Sequence, residues 1–188
     1  MSKAADIVLV GGSAGSYHLI VDIIESLPPF FSSALVVVIH RNPKFKTRLE
    51  DTLSTRLHRP IIQAGDKTAI SPNMIYFAMP GYHLLIEPDR TFSLDISDPI
   101  QFSRPSIDVL FESAAEVYGS RCTALLLSGA NRDGTDGMTA IREMGGKAMV
   151  QCPEDAQIST MPENAIRVND GIDIISDQQI ISYFRNLK

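Results

Sequence analysis

Ile7-Val8-Leu9-Val10-Gly11-Gly12-Ser13-Ala14-Gly15-Ser16 decides how this chain is read, because an apolar run breaks there into a glycine-rich turn and then a helical pattern. The unbroken apolar run predicts a strand buried on both faces. Tyr17, Ile20, Val21, Ile24 and Leu27 follow at helical spacing until Pro28-Pro29 stops them. Between strand and helix, Gly11-Gly12-Ser13-Ala14-Gly15 has the G-x-S-x-G spacing of a sharp turn that exposes a serine hydroxyl. Ser13 is the candidate nucleophile. Gly12 and Gly15 keep bulk away from it, and the Ala14 amide lies where a helix start favours negative charge. Two other readings fit the same turn. One is a phosphate or cofactor loop, although Ser13 takes the place of the second glycine in G-x-G-x-x-G; the other is a tight turn with no ligand.

Working outward, Leu35-Val36-Val37-Val38-Ile39 is a second buried strand and ends at His40-Arg41. A right-handed crossover brings the ends of both strands to one sheet edge, where ligands gather in open α/β sheets, so Ser13 and His40 are expected neighbours. Phe45, Leu49, Leu53 and Leu57 predict a second helix, with His58 solvated beyond it. Short strands near Ile61-Ile62 and over Met74 to Ala78 continue the sheet. His83 to Glu87 and Thr91 to Ile96 flank Pro88-Asp89-Arg90 and read as a β-hairpin insertion. The polar stretch Ser97 to Pro105 is long enough for a binding loop at the site, with Arg104 a candidate for touching the substrate.

Ser106 is the expected N-cap of a helix whose inner face is Ile107, Leu110, Phe111, Ala114 and Tyr118. Ala124 to Leu127 predicts another buried strand, running into the polar loop Ser128 to Gly137, which carries Asp133 and Asp136. Met138, Ile141 and Met144 mark the next helix, Ala148-Met149-Val150 a late strand, Met161-Pro162 a further helix, and Ile180, Ile181, Phe184 and Leu187 a terminal one. Met138, Met144 and Met149 are expected in the core. The pattern predicts one α/β domain over residues 1–188, a mainly parallel, doubly wound sheet flanked by helices with a hairpin insertion.

Composition narrows the function classes. The chain has 188 residues, a formal net charge of −5 and no basic cluster, which argues against a nucleic-acid surface. Its first strand begins too early for a signal peptide and no apolar run spans a membrane, so a soluble, cytoplasmic protein without membrane insertion is expected. Cys122 and Cys152 are expected to be reduced and inert. Asp108, Asp133 and Asp136 lack histidine or cysteine at ligand spacing, so no metal site is expected. His18, His58 and His83 read as surface or packing residues.

A serine hydroxyl is too weakly acidic to attack unaided. A histidine must take its proton, and a carboxylate must fix that histidine's tautomer. Ser13, His40 and Asp133 stand at strand ends in these roles, with Asp136 a competing carboxylate. The order Ser, His, Asp differs from that of α/β-hydrolases.

These stretches resemble the catalytic domain of the protein-glutamate methylesterases of bacterial chemotaxis-type signalling. The resemblance spans nearly the whole chain and rests on Gly11 to Gly15, Val38-Ile39-His40, Arg104 to Phe111, Leu127-Ser128-Gly129 through Asp133-Gly134, and Met161-Pro162. It implies Ser13 as nucleophile, His40 as general base and acid, and Asp133 as the carboxylate. It also implies hydrolysis of γ-glutamyl methyl esters on receptor signalling helices, some members deamidating glutamines as well, with no cofactor. The substrate partner is then a methylated receptor or other signalling protein. In place of the family's glycine pair after the nucleophile stands Gly15-Ser16, and in place of a methionine-glycine before the aspartate stands Ala130-Asn131. Amides of Ala14, Ala130 and Asn131 are the expected oxyanion donors. Many members carry an N-terminal phosphoacceptor domain that blocks the site; these 188 residues open on the catalytic region, so control by a linked receiver is not expected within them, and a regulator in trans is a candidate partner. Two other classes compete: a catalytically weak or silent interaction domain of this fold, and a nucleotide-binding module using Arg41 for a ribose phosphate.

Overall fold

The computed structural model describes residues 3–41 and 48–188. Strands β1 (Ile7–Gly12), β2 (Ala34–Ile39), β3 (Ile61–Gln63), β4 (Ile75–Phe77), β7 (Cys122–Leu126), β8 (Lys147–Gln151) and β9 (Asp173–Ile175) form one sheet. Its order is β3-β4-β2-β1-β7-β8-β9, and each neighbouring pair is parallel. β5 (His83–Ile86) and β6 (Phe92–Asp95) pair antiparallel in a separate sheet, the predicted hairpin.

β1 runs through the middle and is buried along its length, which is why its sequence shows no polar alternation. Ile7 and Leu9 pack into the layer containing α3 (Ile107–Tyr118), α4 (Thr135–Glu143) and α5 (Thr160–Val168). Val8 and Val10 pack into the opposite layer with α1 (Tyr17–Ser26), α2 (Leu49–Leu57) and α6 (Asp177–Arg185). Helices on both faces make the sheet doubly wound. The chain passes from β1 to β2 on one side and returns with β7 on the other, so the order reverses at β1. The crevice beyond the carboxyl ends of the strands at such a reversal is where open α/β sheets bind ligands.

Some expectations shift. α2 begins at Leu49, and the predicted start at Phe45 lies outside the described residues. Met144 is a correction: it is 52% exposed, whereas Met138 and Met149 are buried. It sits at the C-cap of α4, where Gly145, at a φ of 79°, turns the chain away before another helical turn could bury it. β9 was not anticipated, because its Asp173-Ile174-Ile175 is half in solvent at the sheet edge. Among the described residues no helix is long and apolar enough to cross a membrane.

Candidate active site

Parallel register sets Gly12 opposite Ile39, and the His40 amide donates to the Gly12 carbonyl at 3.2 Å. Ser13 and His40 are thus the next residues out on adjacent strands, which lie about 4.8 Å apart. On the other side the Ser13 amide donates to the Ser128 carbonyl at 2.9 Å, just beyond β7. The Ser16 amide and hydroxyl both donate to the Ser13 carbonyl, at 3.1 and 2.7 Å, and close the turn. The Ser128 hydroxyl donates to the Ala14 carbonyl at 2.8 Å. Among the described residues the amides of Ala14, Ala130 and Asn131 have no hydrogen-bond partner.

Gly15 is required by shape. Its φ is +86°, and a Cβ would fall 2.7 Å from both Gln157 Cβ and Ser128 Oγ. Gly15→Ala is therefore expected to destabilise the protein by about 1–3 kcal/mol, read from urea unfolding. An unchanged midpoint would mean that the turn relaxes freely.

His40 Nε2 lies 2.8 Å from Asp133 Oδ2. Asp133 is fully buried and its carboxylate accepts three further bonds: from the Ile107 amide at 2.8 Å, the Asp108 amide at 3.0 Å and the Ser106 hydroxyl at 2.7 Å. These come from the start of α3, where unpaired amides and the helix dipole favour an anion. Burial is the largest single influence on Asp133 and pushes its pKa up, but the bonds from His40, Ile107, Asp108 and Ser106 outweigh it and hold the carboxyl below the ordinary range. Asp108, close by, goes the other way: burial raises its pKa, against the opposing bond from the Gly137 amide at 2.8 Å. Asp136 is half exposed and paired with Arg132 at 3.0 Å, so it is Asp133 that stands beside His40.

A carboxylate can only accept, so His40 Nε2 carries the hydrogen and Nδ1 presents the lone pair. Nδ1 meets the Ser103 hydroxyl at 3.2 Å. Ser103 Oγ accepts in turn from Asn131 Nδ2 at 3.2 Å, which also donates to the Gln101 carbonyl at 3.1 Å, and Asn131 Oδ1 accepts from the Asp133 amide at 3.2 Å. Among the described residues Ser13 Oγ makes no bond to His40; such contacts often tighten only when substrate binds.

Ser106 caps α3 as expected, accepting from the Val109 amide at 3.5 Å, and its amide donates to Nδ1 of the buried His83 at 3.2 Å. Arg104 turns back on its own loop, where Nη1 donates to the Ile96 and Ser97 carbonyls at 2.7 Å each. Arg41 is engaged by Glu50 Oε1 at 2.5 Å and the Ala78 carbonyl at 3.0 Å, which leaves the nucleotide reading without its phosphate ligand. Ser103 escaped the sequence reading, and Asn131 entered it only for its backbone amide, not for the side chain that donates to Ser103 Oγ and the Gln101 carbonyl. The contact of Ser103 with His40 spans 63 residues of chain and depends on a loop path that no local pattern encodes.

The fold is thus that of a doubly wound α/β protein, with Ser13, His40 and the buried Asp133 placed beyond the carboxyl ends of the strands at the reversal of strand order. The family model of the CheB methylesterases matches residues 8–183, and the chain belongs to that family. A Leptospira interrogans protein named, provisionally, as a protein-glutamate methylesterase/protein-glutamine glutaminase is 39% identical over 180 residues, covering 96% of this chain and 93% of its own. The protein-glutamate methylesterase FrzG of Myxococcus xanthus is 29% identical over 160 residues, 85% of this chain and 48% of its own. The crystal structure of the Thermotoga maritima CheB methylesterase catalytic domain superposes with a TM-score of 0.85 at 29% identity, covering 97% of this chain and all of that one.

Proposed function

We propose that this protein hydrolyses γ-glutamyl methyl esters on signalling proteins, with Ser13 as nucleophile, His40 as base and acid, and Asp133 as the group that orients His40. The observation that carries the reading is the 2.8 Å bond from His40 to a buried, four-fold coordinated Asp133, one strand across from Ser13. Ser13 Oγ attacks the ester carbonyl carbon while His40 Nδ1 takes its proton. The resulting oxyanion is received by the Ala14 amide and by amides of the Ala130-Asn131 loop. Asp133 stabilises the imidazolium, which then protonates the departing methoxide, and methanol leaves. Water next attacks the glutamyl ester of Ser13, His40 taking its proton and returning one to Ser13 Oγ. The product is a glutamate carboxylate. A glutamine side chain would follow the same course with ammonia leaving, and the names of several relatives couple these two activities.

The experiment is methanol release from a methylated cytoplasmic helical fragment of a chemoreceptor, with and without prior treatment by a fluorophosphonate. Expected are release by the untreated protein, its loss after treatment, and a single adduct mapped by mass spectrometry to Ser13. Release that survives treatment, or an adduct elsewhere, would overturn the assignment of Ser13. No release and no adduct would favour the silent interaction domain.

A further inference from the structure

Gln101 and Phe102 form the tip of a two-residue hairpin. The Ile100 amide donates to the Ser103 carbonyl at 3.1 Å and the Ser103 amide to the Ile100 carbonyl at 2.8 Å. Both tip residues are left-handed, with φ of 47° and 63°, the pattern of a type I′ turn, which favours Asn-Gly and not a glutamine followed by a phenylalanine. Such unfavourable backbone persists where the surroundings over-determine it, and it concentrates at functional sites. Here the surroundings are the candidate active site: Ser103 contacts His40 Nδ1, and Asn131 holds both Ser103 Oγ and the Gln101 carbonyl.

The Phe102 side chain is fully exposed, and the same loop also shows Ile96, 69% exposed, and Ile100, 40% exposed. An aromatic ring held out by a fastened turn loses little freedom when it is covered, which suits it to anchoring a partner. The turn stands beside His40, which Ser103, the residue after Phe102, contacts at 3.2 Å. Charge does not prepare the loop for an acidic protein, because it carries Asp95 and Asp98 and the Arg104 Nη1 is occupied by the loop's own carbonyls. What this loop offers a partner is apolar contact through Phe102, Ile96 and Ile100. An esterified glutamate is also less polar than the carboxylate product, so an apolar surface favours substrate over product.

Resting on the methylesterase reading, we infer that the Gln101-Phe102 turn is the docking point for the protein substrate, Phe102 inserting into apolar surface beside the esterified glutamate. The test compares two substrates, the methylated chemoreceptor fragment and the small ester N-acetyl-glutamate γ-methyl ester, for the wild type, Phe102→Ala, Phe102→Gly and Phe102→Leu. The ratio of kcat/KM on the protein to that on the small ester is expected to fall about tenfold or more in Phe102→Ala, through KM. Phe102→Gly, which relieves the left-handed backbone, should fall equally, and Phe102→Leu should recover part of the loss. A ratio within twofold of wild type in Phe102→Ala would overturn the inference, as would a loss rescued by glycine, which would assign the effect to the turn and not to the ring. Wild-type turnover of the small ester without turnover of the fragment would overturn it too. No turnover of either substrate by the wild type would instead overturn the methylesterase reading on which it rests.

Discussion

Ser13→Ala is expected to lower kcat for methyl-ester hydrolysis by about a millionfold, the loss typical when the nucleophile of a serine hydrolase is removed. The fold should hardly register the change. Ser13 contributes to structure through its backbone, the amide bonding to the Ser128 carbonyl and the carbonyl accepting from Ser16, and alanine keeps both. Its side chain is only half-buried, so unfolding free energy should stay within about 0.5 kcal/mol of wild type. Residual turnover would come from oxyanion stabilisation and orientation alone. Single-turnover methanol release, with urea unfolding of the same samples, separates loss of chemistry from loss of structure. A variant that kept activity within tenfold of wild type would mean that His40 activates water directly, and a covalent glutamyl intermediate would have to be abandoned.

The sequence made the central strands legible because burial on both faces leaves an unmistakable apolar run, as in β1 and β2. It could not show β9, whose three residues are half exposed at an edge and carry neither an apolar run nor an alternation. At the site, a serine in a glycine turn and a histidine at the next strand's end are local signals, and the parallel register turns them into neighbours. The aspartate is less legible. Asp133 and Asp136 share one polar loop, and nothing in their local residue types tells which is buried. The difference is made by α3, whose first amides surround Asp133 from a distant part of the chain, while Asp136 pairs with Arg132 in solvent. Ser103, and the part played by the side chain of Asn131, are further from legibility still. The replacement of the family's usual methionine-glycine by Ala130-Asn131 is visible in the sequence as a departure, but only the fold shows that the new amide fastens the loop lying against His40.

Asp133→Asn should lower kcat by about ten-thousandfold, and the reason lies in the donors that surround the carboxylate. Ser106 Oγ, the Ile107 and Asp108 amides and His40 Nε2 all present hydrogens to it. Asparagine offers one oxygen and one NH2, so the NH2 must face a pair of donors wherever it is placed. Turned toward Ser106 and the Asp108 amide, it opposes the start of α3. Turned toward His40, it drives the imidazole to the other tautomer, in which Nδ1 carries the hydrogen and can no longer accept one from Ser13. Stability should fall as well, by about 2–4 kcal/mol at pH 7, because a buried charge-assisted network loses its acceptor. Some of that loss is offset, since removing the Asp133 charge relieves the repulsion that helps to raise the pKa of Asp108. The pH dependence follows from the direction of the Asp133 shift. Its folded pKa is depressed, so its contribution is fully present above the ordinary aspartate pKa of about 4 and is lost as pH falls through the folded value. The gap between wild type and Asp133→Asn in urea unfolding should accordingly be wide at pH 7 and narrow progressively below about pH 4. A gap that stayed constant into acid would show that Asp133 acts through packing, and the coordinated carboxylate would lose its place both in holding α3 and in setting the tautomer of His40.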